Sequence, residues 1–170
     1  MKKSKQIAFC ALMIALSVVF LLLGGITSIL DLTAVVISAI VLFIVYEELK
    51  FAAVLVYLGV TLIAFILPNG LTMAVEYGIF AIYPILKPIF EKAPKVVSII
   101  IKLIFMIASV TTLTLLLNFV LSTPEVWYIN LAFGVGAVVF YYLFDLVLTK
   151  FGKYYRETLR SKLRLDKFFK

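Results

Sequence analysis

Long apolar runs separated by short polar breaks organise this chain, and the breaks mark out the helices. No charge lies between Gln6 and Leu30. A helix of about 20 residues fits in that run, enough to cross a hydrocarbon core about 30 Å thick. The pattern predicts that this first span ends near Gly24-Gly25. A second runs from Thr27 to Tyr46, with Asp31 near its start and Glu47-Glu48 closing it. A third covers Phe51 to Leu67 and stops at Pro68-Asn69-Gly70, a strong turn signal. The fourth continues to Pro88 or Glu91, and the fifth runs from Val96 to Leu121 with Lys102 in its first two turns. The sixth opens at Val126-Trp127-Tyr128 and closes between Leu148 and Lys150. The predicted fold is all-α: a polytopic membrane protein, with a six-transmembrane-helix bundle over residues 1–150 and a tail over 151–170.

The fourth run differs from the others. It holds Glu76, Tyr77, Gly78, Tyr83, Pro84 and Lys87, whereas its neighbours are mostly apolar. A carboxylate inside a span is costly unless it faces protein or water, so Glu76 reads as a functional candidate. At 1.5 Å per residue it lies about 9 Å below Gly70, and about 16 Å from Lys87, too far for the two to pair. Pro84 and Pro88 each remove a helical hydrogen bond and predict a kink. In that inner half, the preferred expectation is a static kink with Lys87 at the interface; a pair between Lys87 and Asp145 of the sixth helix is the alternative to test.

Composition narrows the class. Hydrophobic residues make up 65% of the chain and charged residues 15%, against about 45–50% and 25% in soluble domains. One cysteine, Cys10, and no histidine exclude an internal disulfide, Cys/His metal sites and Ser-His or Cys-His catalysis. The expectation is a protein that is not an enzyme and uses no metal or cofactor. The apolar N-terminal run is too long for the h-region of a signal peptide and reads as a retained first span. All sixteen Lys and Arg residues fall on or near one side, while the connections Gly24 to Asp31, Pro68 to Leu71 and Ser122 to Val126 carry none. Positive-inside bias then places both termini in the cytoplasm of a cell (plasma) membrane protein. Lys87 and Lys102 lie near enough to that side to snorkel. From Lys150 onward there are eight cations and two acids, with Tyr155, Leu159 and Leu163 every four residues. This predicts a basic amphipathic tail drawn to anionic membrane lipid rather than to nucleic acid.

Other polar residues share the outer half with Glu76. Thr111, Thr114 and Asn118 fall on one face of the fifth helix, Asn130 lies one turn into the sixth below Trp127, and Asp31 opens the second. Asn69, Glu76, Tyr77, Asn118, Trp127 and Asn130 are the candidate substrate-binding residues, lining a cavity between the outer halves of the fourth, fifth and sixth helices. Interhelical hydrogen bonding, worth about 0.6 kcal/mol each in membranes, accounts for any one of them alone. The functional argument is that several converge.

Ala8, Ala11 and Ala15 mark the first helix, and Ala11-Leu12-Met13-Ile14-Ala15 is a small-xxx-small pattern that admits a close helix neighbour. With six spans, internal termini and an Ala-x-x-x-Ala first helix after a basic start, the chain resembles the substrate-binding S components of energy-coupling factor (ECF) transporters. The resemblance implies a small organic, vitamin-like solute captured outside, and docking through Ala8, Ala11 and Ala15 onto a transmembrane coupling subunit linked to two ATPase subunits. The metal-transporting branch is disfavoured, because its N-terminal Met-His site has no counterpart here. Size and span count are also similar to the rod-shape scaffold protein MreD, which implies a small scaffold of the cell-envelope machinery with no ligand.

Overall fold

The computed structural model describes residues 3–27, 31–121 and 127–162, with side chains described outside 117–131 and 133. Every element among them is helical: α1 (Lys3–Thr27), α2 (Asp31–Leu49), α3 (Ala52–Ala64), α4 (Gly70–Ala81), α5 (Tyr83–Phe90), α6 (Lys95–Leu121) and α7 (Trp127–Tyr154). Five stretches are long and apolar enough to cross a membrane: Lys3–Thr27, Asp31–Leu49, Gly70–Phe90, Lys95–Leu116 and Gly134–Lys162. The protein is an all-α polytopic bundle, as the apolar runs predict.

The remaining helix, α3, has 13 residues, about 20 Å at 1.5 Å per residue. Phe65 to Leu67 extend it in tight turns, with Ile66 N–H on the Ile63 carbonyl and Leu67 N–H on that of Ala64. Its register on α1 shows how far it reaches. Gly59 lies against Ile14, and the Pro68 carbonyl lies against Gly25. The eleven residue steps along α1 from Ile14 to Gly25 cover about 16 Å, so α3 and the turns after it climb to the level of the α1 terminus.

Two close approaches set the cation-free end. A Cβ on Gly24 would sit 2.5 Å from Ala34 Cβ, and one on Gly25 would sit 2.6 Å from the Pro68 carbonyl oxygen. The glycines therefore act as a packing notch rather than a stop, and α1 continues to Thr27, whose hydroxyl bonds the Leu23 and Gly24 carbonyls. This differs from the predicted end at Gly24-Gly25, because both glycines keep negative φ.

The turn expected at Pro68-Asn69-Gly70 is present, with Asn69 in the left-handed region at φ 54°. Asn is one of the few non-glycine residues that visit that region. Further along, the fourth run breaks at Ile82, between α4 and α5. Pro84 has no N–H for the Phe80 carbonyl, and the helix restarts with Ile85 and Leu86 N–H both on the Ile82 carbonyl.

The core centres on α2 and α4. Val35, Ala39, Leu42 and Val45 of α2 and Met73, Tyr77 and Ala81 of α4 have no solvent exposure. Helices α1 and α3 flank them, and α6 and α7 close the side beside α4 and α5. The helix of α7 shows no break at 150; a π-helical turn, Tyr155–Leu159, carries it on to Arg160–Lys162. This extension docks on the end of α2: Tyr155 donates to Glu48 at 2.9 Å, and Arg156 and Arg160 pair with Glu47 and Glu48 at 3.2 and 3.0 Å. Leu163, the last of the predicted amphipathic positions, lies outside the described residues.

Candidate functional site

Two polar centres lie within the bundle, at different depths. The first gathers at the cation-free end. Asp31 opens α2, where the helix N-terminus favours a negative charge. Its backbone lies beside Gly24 of α1, which also meets Met73 of α4. Glu76, one turn below Met73, is partly buried and feels the Asp31 charge. Buried oxygens of both, Asp31 Oδ1 and Glu76 Oε2, have no hydrogen-bond partner among the described residues. Tyr77, the next residue along α4, is fully buried, and its hydroxyl also has none. Its ring stacks on Tyr57 of α3 at 6.2 Å, while the Tyr57 hydroxyl donates to the Gly78 carbonyl at 2.8 Å. Buried polar atoms in native proteins are nearly always paired, and each exception needs an explanation.

Sequence-predicted residues divide on this geometry. Glu76 and Tyr77 are adjacent in the centre. Asn69 is exposed at the turn and donates to the Gly25 carbonyl at 3.3 Å, tying the turn to α1. The side chains of Asn118, Trp127 and Asn130 lie outside the described residues. On the same face as Asn118, Thr111 is exposed and Thr114 donates to the Val110 carbonyl of its own helix. Asp31 shares the buried, unpartnered character of Glu76, and Tyr57 is an addition: it was indistinguishable from any other Tyr in an apolar run. Ala8, Ala11 and Ala15 are all exposed on α1, with Phe9 and Ser17 buried on its other side. Among the described residues no group of three His, Cys, Asp or Glu side chains could hold a metal ion.

The second centre joins α5, α6 and α7. Lys87 is not at the interface: it is 3% exposed and forms an ion pair with Asp145. Its ammonium also reaches the Asp145 carbonyl at 3.3 Å, Thr149 Oγ1 at 2.7 Å and Glu91 at 3.0 Å. Asp145 accepts from the Tyr83 hydroxyl at 2.7 Å, and Lys102 pairs with it at 3.3 Å and with Glu91 at 2.9 Å. Two cations thus face two anions. Snorkelling loses to pairing here because α7 offers a carboxylate at the same depth, while the exposed route runs past Glu91. At Glu91, outside the spans, burial pushes the carboxyl up, but hydrogen bonds from Lys102 and Lys87 outweigh this and hold it below the ordinary range.

Above the charges, rings from the same helices stack in a column. Phe80 lies on Tyr141 at 4.8 Å, Tyr83 meets Tyr141 edge-on at 5.3 Å, and Phe105 lies on Tyr83 at 5.8 Å. The inner centre is saturated by its own partners; the outer one is not. No family model, curated protein or solved structure matches the chain.

Proposed function

We propose that this membrane protein captures a small organic solute at its cation-free end, by binding without catalysis, for ATP-driven import by partner subunits. The observation that carries this reading is the set of unpartnered buried oxygens on Asp31, Glu76 and Tyr77. A polar ligand would supply the missing partners, whereas leaving them unmet costs roughly 1–3 kcal/mol for each buried group. The cation asymmetry supports a cation-free end facing outside, with both termini cytoplasmic in a plasma membrane. Exposure of Ala8, Ala11 and Ala15 supports α1 as the face that meets a transmembrane coupling subunit, as in the ECF transporters the chain resembles.

The test is to purify the protein from rich medium and identify co-purified small molecules by mass spectrometry. The expected result is one retained solute, lost from Glu76→Gln together with uptake. A protein that never carries a solute, with Glu76→Gln harmless to uptake, would overturn the reading in favour of a ligand-free envelope scaffold. Independently, Ala11→Phe/Ala15→Phe is expected to abolish co-purification with a coupling subunit, and unchanged association would sink the docking assignment.

A further inference from the structure

Matching of charges at the basic end is uneven. Glu47 and Glu48 are taken by Arg156 and Arg160, and Glu91 and Asp145 by Lys87 and Lys102. Of the described acids at this end, only Glu157 has no cationic partner. The cations that close these pairs are the arginines of the α7 extension and the two lysines inside the bundle. Beyond the first helix, six other described cations have no ion-pair partner: Lys50 after α2, Lys92 and Lys95 between α5 and α6, and Lys150, Lys153 and Lys162 along the end of α7 and its extension. All six are exposed. The Arg–Glu pairs hold the α7 extension to the end of α2, and the Lys87–Asp145 pair holds α5 to α7, so the three segments sit at one end of the bundle.

We propose that these six lysines form a collar that binds the phosphate groups of anionic phospholipids. Its charge is complementary to that surface and is largely uncancelled from within the protein, because every nearby described carboxylate except Glu157 is already engaged. An ammonium on a flexible stem suits this task, since it follows a mobile headgroup as a point charge, whereas the arginine forks are held in fixed pairs. The sequence pattern spreads the basic character over the whole tail; the structure divides it into arginines that dock the extension and lysines left for lipid. This inference needs only the membrane-spanning fold and is independent of any solute.

The experiment reconstitutes the full chain in bilayers of phosphatidylcholine and measures association of spin-labelled phosphatidylglycerol against spin-labelled phosphatidylcholine. A lysine beside an anionic surface strengthens association by roughly fivefold. The native protein is therefore expected to prefer phosphatidylglycerol several-fold, with the preference shrinking at high salt. Replacing all six lysines by Gln should remove most of that preference. Removing a matched pair with Glu47→Gln/Arg156→Gln should leave it unchanged. Two three-lysine variants, one in the loops (Lys50, Lys92, Lys95) and one on the helix (Lys150, Lys153, Lys162), should each lose part of it, and they serve as the test if the six-fold variant melts early. Absence of preference in the native protein, survival of the preference without the lysines, or an equal loss from the matched-pair variant would each overturn the proposal.

Discussion

Lys87→Met is the sharpest probe of how this bundle is held together. The substitution keeps an unbranched apolar stem in a site where Lys87 is 3% exposed, but removes the ammonium from Asp145, Thr149 and Glu91. Asp145, 8% exposed, keeps the Tyr83 hydroxyl at 2.7 Å and Lys102 at 3.3 Å. Breaking a buried pair from one side costs about 3–5 kcal/mol; the two surviving partners place this case at the lower limit, about 3 kcal/mol. The reverse substitution, Asp145→Asn, should cost less. It leaves the ammonium beside Glu91 at 3.0 Å, and Glu91 is 44% exposed, so the stranded charge has a partner and a route to water. The double variant Lys87→Met/Asp145→Asn leaves no unpaired charge between α5 and α7 and should recover much of the single-variant loss. Reversible unfolding in mixed micelles with denaturing detergent, followed by loss of helix, gives the three free energies. The reasoning fails if Lys87→Met lies within about 0.5 kcal/mol of the native protein. It fails equally if Asp145→Asn is the more damaging change, or if the two losses simply add.

Further expectations rest on single contacts. Gly25→Ala forces a Cβ to 2.6 Å from the Pro68 carbonyl and should destabilise by about 1–3 kcal/mol. Gly136→Ala meets nothing within 4 Å and should be neutral or stabilise by up to about 1 kcal/mol; thermal melts of the two read the contrast. Tyr57→Phe deletes the bond to Gly78 while keeping the stack on Tyr77, and its melt should report a loss of about 0.6 kcal/mol, the typical value within membranes. Glu91 titrates below its unfolded value, so its small contribution is present above the ordinary carboxylate range, near pH 4.3, and is lost as pH falls through the lowered folded value. At 44% exposure that contribution is about 0.5 kcal/mol. Glu91→Gln should therefore melt slightly earlier than the native protein at neutral pH and converge with it in acid. A gap that stays constant with pH would refute the linkage.

The type of the elements and most of their limits were legible because a membrane-spanning chain is built from long apolar runs. Apolar runs bounded by Glu47-Glu48, Pro68-Asn69-Gly70 and Lys92 to Lys95 marked the helices before any packing was known. The break within the fourth run was equally legible, since a proline acts on its own backbone, and it fell at Ile82, two residues before Pro84. Glu76 stood out because a lone carboxylate is conspicuous among apolar neighbours. Partnership was not legible. Whether Lys87 reaches the interface or Asp145, whether Gly24-Gly25 ends a helix or admits another, and whether Thr114 faces a cavity or its own backbone all depend on helices far away in the chain. Composition and periodicity act locally, and they determined which segments form helices and which end carries the cations. Pairing a carboxylate with an ammonium 58 residues away requires a crossing position and a rotation for both helices, and only tertiary packing sets those.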